Sequence, residues 1–416
     1  NFMKARLSKE LIKSIKSFLK TIHTPLAIRS SGLLEDSQYQ PLAGMYSTFM
    51  LPNCAETEKE RLSQVCEAIK RIYASTFFRA PKTLMSQFVQ HHAEEKMAII
   101  IMEMTGKNHS GKFYPTFSGV AQSYNYYPVS HMKRNQGIAF VALGLGKTIA
   151  EGKKSLRFSP YYPDIISQYY SSGTLLENSQ NEFYALNLDD GKNPMQKGED
   201  DNLYLYNLNH AEEDGELKHL ASVLDTNDNV LRDSLLSAGP RVLTFSGLLK
   251  YNRFPLSDIL KYFLEYGEAS LGCPVEIEFA VNLNDDKEDE FSLLQIKPMT
   301  INSFNRSIID NDINSKSLFC KSDIVLGEGL IDDISHIVYV DIDNFDISQS
   351  NMIAYQIEEL NKSLGPKNPY LLIGPGRWGS SDQWLGIPTS WEQINNAKII
   401  MELGIEGLEP DPSFGS

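Results

Sequence analysis

The chain has 416 residues, 42% hydrophobic and 22% charged, a composition for a globular protein long enough to hold two or three cored domains. Its formal net charge of −14 argues against a nucleic-acid groove or a face for anionic membrane, so any phosphate site has to be a local basic pocket in an acidic protein. Cys54, Cys66, Cys273 and Cys320 are scattered with no C-x-x-C pair, which excludes a disulfide frame or a zinc site and points to a reducing compartment.

The longest uncharged apolar runs, at 97–102 and 137–146, are too short for a bilayer, and no signal pattern opens the chain, so a cytoplasmic location is expected. The ends, Asn1-Phe2 and Phe414-Gly415-Ser416, read as cuts from a longer protein. Leu7, Leu11, Ile15, Phe18 and Ile22 fall at helical spacing, predicting an amphipathic helix that Pro25 closes. Leu26-Ala27-Ile28 then predicts a short buried strand running into Arg29-Ser30-Ser31-Gly32. Helices are expected over Glu56 to Tyr73 and Lys82 to His91, and strands over Lys96 to Met104, Phe117 to Gln122 and Gly137 to Leu143.

From about 178 to 228 the chain turns polar and acidic, which suggests a long, partly flexible insertion. A helix over Ser257 to Tyr266 precedes two alternating arms, Glu276 to Val281 and Phe291 to Pro298, which read as strands joined by a turn-rich connection. A boundary at 301–317 divides a first domain, 1–303, from a smaller α/β unit, 304–416. In that unit strands are expected at 336–340 and 370–373, with a helix near 351–364 between them. Trp378, Trp384 and Trp391 all lie in its second half.

Three places carry candidate chemistry. Glu276 and Glu278 share one strand face, and Gln295 and Lys297 share another. If the polar faces meet, two carboxylates beside a lysine suit Mg²⁺ carrying a nucleotide's phosphates; the alternative is a solvated face with a Glu/Lys pair. Arg29 at a strand end, near hydroxyls and Gly44 and Thr48, fits a phosphate clamp or an ordinary surface arginine. Gly144-Leu145-Gly146-Lys147-Thr148 has Val141 where a P-loop needs its first glycine, so that motif is excluded; a looser loop over phosphates or a tight turn remains. Gly374-Pro375-Gly376-Arg377-Trp378-Gly379 fits a ligand pocket or a rigid loop packed on tryptophan.

In order, these pieces resemble the N-terminal nucleotide-binding domain of the phosphoenolpyruvate synthase and pyruvate phosphate dikinase family. The family's V-R-S-S-A-x-x-E-D and F-A-G-x-x-x-T stand here as Ile28 to Asp36, then Leu42-Ala43-Gly44 and Thr48. Its Q-x-M-V, S-G-V and G-L-G-E stand as Met102 to Thr105, Ser118-Gly119-Val120 and Gly144 to Lys147. Its D-I-E-W and L-Q-x-R-P stand as Glu276 to Phe279 and Leu294 to Pro298, so the likeness covers roughly 25 to 300. Glu276 replaces an aspartate, Lys297 an arginine and Lys147 a glutamate.

The resemblance implies an α+β fold of the ATP-grasp type, two subdomains holding ATP between sheets; the α/β unit that follows matches no part of the family pattern. It implies that Arg29 and Lys297 act on phosphate, with Gly44, Thr48 and Lys147 lining that side. Met102, Glu103, Met104 and Thr105 would read adenine, and Glu276, Glu278 and Gln295 would hold Mg²⁺. The activity implied is phosphotransfer from ATP to a histidine or small-molecule acceptor, with pyruvate or another acceptor reached through domains outside this chain. The rival expectation is a non-catalytic nucleotide-binding regulatory or scaffold module with a degenerate site.

Overall fold

The computed structural model describes residues 2–32, 46–78, 96–125, 132–166, 178–189, 200–225, 230–285, 287–299, 331–380 and 385–405, with 176, 198, 228, 319, 320 and 322. Gly44, Trp384 and the helix expected at 82–91 lie outside them. Contacts divide the chain into two compact units, 1–150 with 154–300, and 301–416 with 151–153. Among the described residues no helix is long and apolar enough to cross a membrane.

The first unit opens with the helix Lys9–Thr21, whose N-cap Ser8 accepts the Leu11 N–H at 3.1 Å. Its buried stripe is Ile15 and Leu19; Leu11, expected on that face, is exposed. The strand β1 (Leu26–Gly32) is longer than the sequence suggested, so Arg29 sits mid-strand rather than at a strand end. It is the centre of a three-stranded antiparallel sheet between β2 (Phe49–Leu51) and β3 (Met97–Glu103). The helix Glu58–Ser75 starts at a Thr57/Glu60 capping box and packs with the first helix on Leu26 and Ile28. That leaves Ala27, Arg29 and Ser31 on the opposite face of β1.

After the hairpin β4 (Lys107–His109) and β5 (Lys112–Tyr114) come β6 (Phe117–Gln122), β7 (Ile138–Leu143) and β8 (Leu156–Phe158). The described residues of 178–228, where a partly flexible insertion was expected, include elements that build the core. They supply β9 (Glu182–Asn187), β10 (Leu203–Asn207), the helix Leu208–Glu213 and β11 (Ala221–Asp225). Polar and acidic residues dominate the composition of this stretch, yet Phe183, Ala185, Leu217 and Leu220 are fully buried in the main core. β9 and β10 extend the β4–β5 hairpin into a four-stranded sheet, and β11 pairs with β12 (Val230–Arg232) and β13 (Arg241–Leu243). The helix Leu256–Leu271 leads into β14 (Val275–Asn282) and β15 (Glu290–Pro298), completing an antiparallel five-stranded sheet in the order β15-β14-β6-β7-β8.

One buried polar cluster ties these sheets together. Glu216, 7% exposed, receives Lys107 Nζ and the Thr116 hydroxyl and lies 3.3 Å from His109 Nε2. Removing one partner of a buried ion pair strands the other, so Glu216→Gln is expected to cost about 3 kcal/mol of unfolding free energy, read from urea denaturation. Burial holds the His109 pKa below its ordinary 6.5, with Glu216 opposing. A depressed histidine contributes stability that is complete above 6.5 and lost as pH falls through the lower folded value. The urea midpoint is therefore expected to fall on acidification below 6.5, and to fall less in His109→Gln.

In the second unit, β16 (His336–Tyr339), the helix Ser350–Leu364 and β17 (Tyr370–Pro375) make a parallel βαβ step. Two short paired strands, β18 (Arg377–Trp378) and β19 (Gly386–Ile387), follow, and β20 (Ala397–Leu403), absent from the sequence reading, joins β17 in parallel. Trp378 is buried over Gly374, whereas Trp391 is 45% exposed. The tryptophans thus do not all build the core.

Candidate functional site

β14 and β15 pair so that Glu276 faces Lys297 and Glu278 faces Gln295, with a bulge after Glu278. The polar faces of the two arms therefore do meet. β6 lies on the other side of β14, placing Gln122 opposite Glu276. The alternate residues Ile277 and Phe279 enter the core, which fixes Glu276 and Glu278 on the outer face of this sheet.

Arg29 arrives from the small sheet. Its Nη2 donates to Gln295 Oε1 at 2.6 Å and its Nη1 to Glu278 Oε2 at 3.3 Å. A guanidinium fork thus links β1 to two neighbouring strands of the five-stranded sheet. Beside it Lys297 Nζ meets Glu276 Oε1 at 2.7 Å, and Gln122 Nε2 donates to Glu276 Oε2 at 2.6 Å. Burial alone pushes the Lys297 pKa down, but the adjoining Glu276 carboxylate outweighs it and holds the ammonium above its ordinary value. The patch is formally balanced, two carboxylates against two basic side chains.

Glu276, Glu278, Gln295 and Lys297 are thereby brought together, as their spacing suggested, and Arg29 joins them by a contact that no spacing indicated. Others are not. Lys147 opens the short helix Lys147–Ala150 and pairs with Asp200 at 2.7 Å over the Tyr184 ring. The glycine loop before it makes a tight turn: Gly144 has φ +80°, and a Cβ there would meet the Tyr184 carbonyl at 2.7 Å. Thr48 immediately precedes β2. Met102 and Glu103 end β3, and the segment through Thr105 carries the chain from the small sheet to β4. The Met104 N–H is taken by the Pro25 carbonyl at 2.9 Å, and Glu103 accepts the Thr24 hydroxyl at 2.7 Å.

Sequence reasoning missed Gln122. Its alternation on β6 was visible, but its neighbour Glu276 is 154 residues away, and no local pattern gives that register.

Glu278 and Gln295 fit a divalent cation that also bears phosphate, which needs only one or two protein oxygens because phosphates and water complete its shell. Glu276 fits less well, since Lys297 and Gln122 hold both its oxygens. Among the described residues no three His, Cys, Asp or Glu side chains gather as metal ligands.

A family model described as pyruvate phosphate dikinase, AMP/ATP-binding domain, matches residues 1–316. No curated protein matches the chain.

Proposed function

The chain belongs to the family of the pyruvate phosphate dikinase AMP/ATP-binding domain, and from that premise we propose that it is the nucleotide-binding part of an ATP-dependent phosphotransferase. In this reading ATP lies in an ATP-grasp cleft between the β1 sheet and the outer face of the five-stranded sheet. Its phosphate goes to a histidine or small-molecule acceptor outside this chain, pyruvate among the candidates. The observation that carries the reading is the convergence of Arg29 with Glu278 and Gln295 from opposite sheets, beside the Glu276–Lys297 pair.

Each group then has a task. Glu278 and Gln295 would hold Mg²⁺, which when bound neutralises charge on the phosphate oxygens. The Arg29 fork matches two phosphate oxygens, and Lys297, kept charged by Glu276, steadies the transferring phosphoryl group. Gly44, Thr48 and Lys147 would line the phosphate side, and the Met102 to Thr105 connection the adenine. The Pro25 contact at Met104 leaves fewer backbone groups there to read the base. One feature favours a second reading, a binding module without turnover: both oxygens of Glu276 are already satisfied within the protein.

Isothermal titration with a non-hydrolysable ATP analogue tests the site. Binding is expected to require Mg²⁺ and to weaken at least about tenfold in Glu278→Ala and in Arg29→Ala, the scale of losing a charge-assisted contact. A wild-type protein that takes up no analogue, with or without Mg²⁺, would sink the proposal.

A further inference from the structure

Glu278 Oε2 and Gln295 Oε1 belong to directly opposed residues of β14 and β15, and the Arg29 guanidinium bonds both. We propose that Arg29 stands in the divalent cation's place until nucleotide arrives, so that the site admits metal only as the metal–nucleotide complex. This rests on the nucleotide reading above and adds an order of events to it.

The argument is one of charge and partners. Glu276 and Glu278 are balanced by Lys297 and Arg29 before anything binds. A bare divalent cation would add uncompensated charge and would have to share two oxygens with a guanidinium that has nowhere better to go. Arg29 is held mid-strand on β1, with a side chain only 22% exposed, so withdrawal into solvent is restricted. A metal already carrying a triphosphate brings its own anionic oxygens. The fork exchanges a carboxylate and an amide for phosphate, a better bidentate partner, while the metal takes the oxygens it vacates. Lys297 does not compete for those atoms, because Glu276 Oε1 holds its ammonium at 2.7 Å.

The test measures Mn²⁺ affinity by electron spin resonance, without nucleotide, in the whole protein. Arg29→Gln is expected to bind Mn²⁺ at least about tenfold more tightly than wild type, the effect of removing a cation from beside the ligands. Arg29→Lys, which keeps the charge, is expected to stay close to wild type. Adding Glu278→Gln to Arg29→Gln is expected to erase the gain. Wild type is expected to recover a similar gain when the non-hydrolysable ATP analogue is present. Equal Mn²⁺ affinity in wild type and Arg29→Gln, or a gain that survives Glu278→Gln, overturns the proposal. If Mg²⁺-dependent analogue binding persists in wild type alongside that result, the nucleotide reading stands and only the exchange of cations falls.

Discussion

Lys297→Met is expected to lower turnover of γ-labelled ATP by roughly 10²- to 10³-fold in the protein that carries this chain, with analogue affinity changed less than about tenfold. In phosphoryl transfer the protein mostly positions groups and neutralises charge, so a cation facing the moving phosphoryl group counts more in the transition state than in the ground state. Lys297 has the setting for this. It is three-quarters buried, on the same sheet face as Glu278 and Gln295, and salt-bridged to Glu276. Because that carboxylate holds its pKa above the ordinary 10.5, its stabilising charge is complete below 10.5 and lost only as pH rises through the still higher folded value. No limb of the pH–rate profile near neutrality is therefore expected to belong to Lys297. Lys297→Arg is expected to retain most of the turnover, since an arginine occupies this place in the family pattern. Turnover that survives Lys297→Met would remove the residue from the reaction, and a wild-type protein that binds nucleotide without turning it over would favour the module.

The chemistry of the site was legible before its geometry. Two-residue spacing on each arm was enough to put Glu276 with Glu278 and Gln295 with Lys297, and the antiparallel pairing then set them face to face. Arg29 was a different case. Its type and its place after an apolar run fitted a phosphate clamp or an ordinary surface arginine, and its reach to β14 and β15 spans 249 and 266 residues. No local periodicity encodes such a contact. The stretch at 178–228 shows the opposite failure, in which polar and acidic residues dominate the average composition while single residues such as Phe183 and Leu217 carry the burial. The βαβ step of the second unit was readable because a fully buried parallel strand is a continuous apolar run, here Tyr370 to Ile373.

Gly119→Ala is expected to destabilise the fold by about 3 kcal/mol and to weaken nucleotide binding with it. Gly119 lies in the middle of β6, directly opposite Phe279 on β14. A Cβ there would fall 2.1 Å from Phe279 Cζ and 2.8 Å from the Phe140 carbonyl. The ring has little room to yield, being 1% exposed and stacked on Phe291 at 5.3 Å. This mid-strand glycine thus makes space for the aromatic ring that anchors the strand bearing the carboxylates. Phe279 adjoins Glu278 at the bulge, so displacing the ring moves the residue that meets Arg29. Phe279→Ala is expected to cost about 4 kcal/mol by opening a cavity. The double variant is expected to cost at least about 1 kcal/mol less than the sum, because the new methyl then occupies space the ring has left. Additive losses in urea denaturation would mean that the two residues do not share that space.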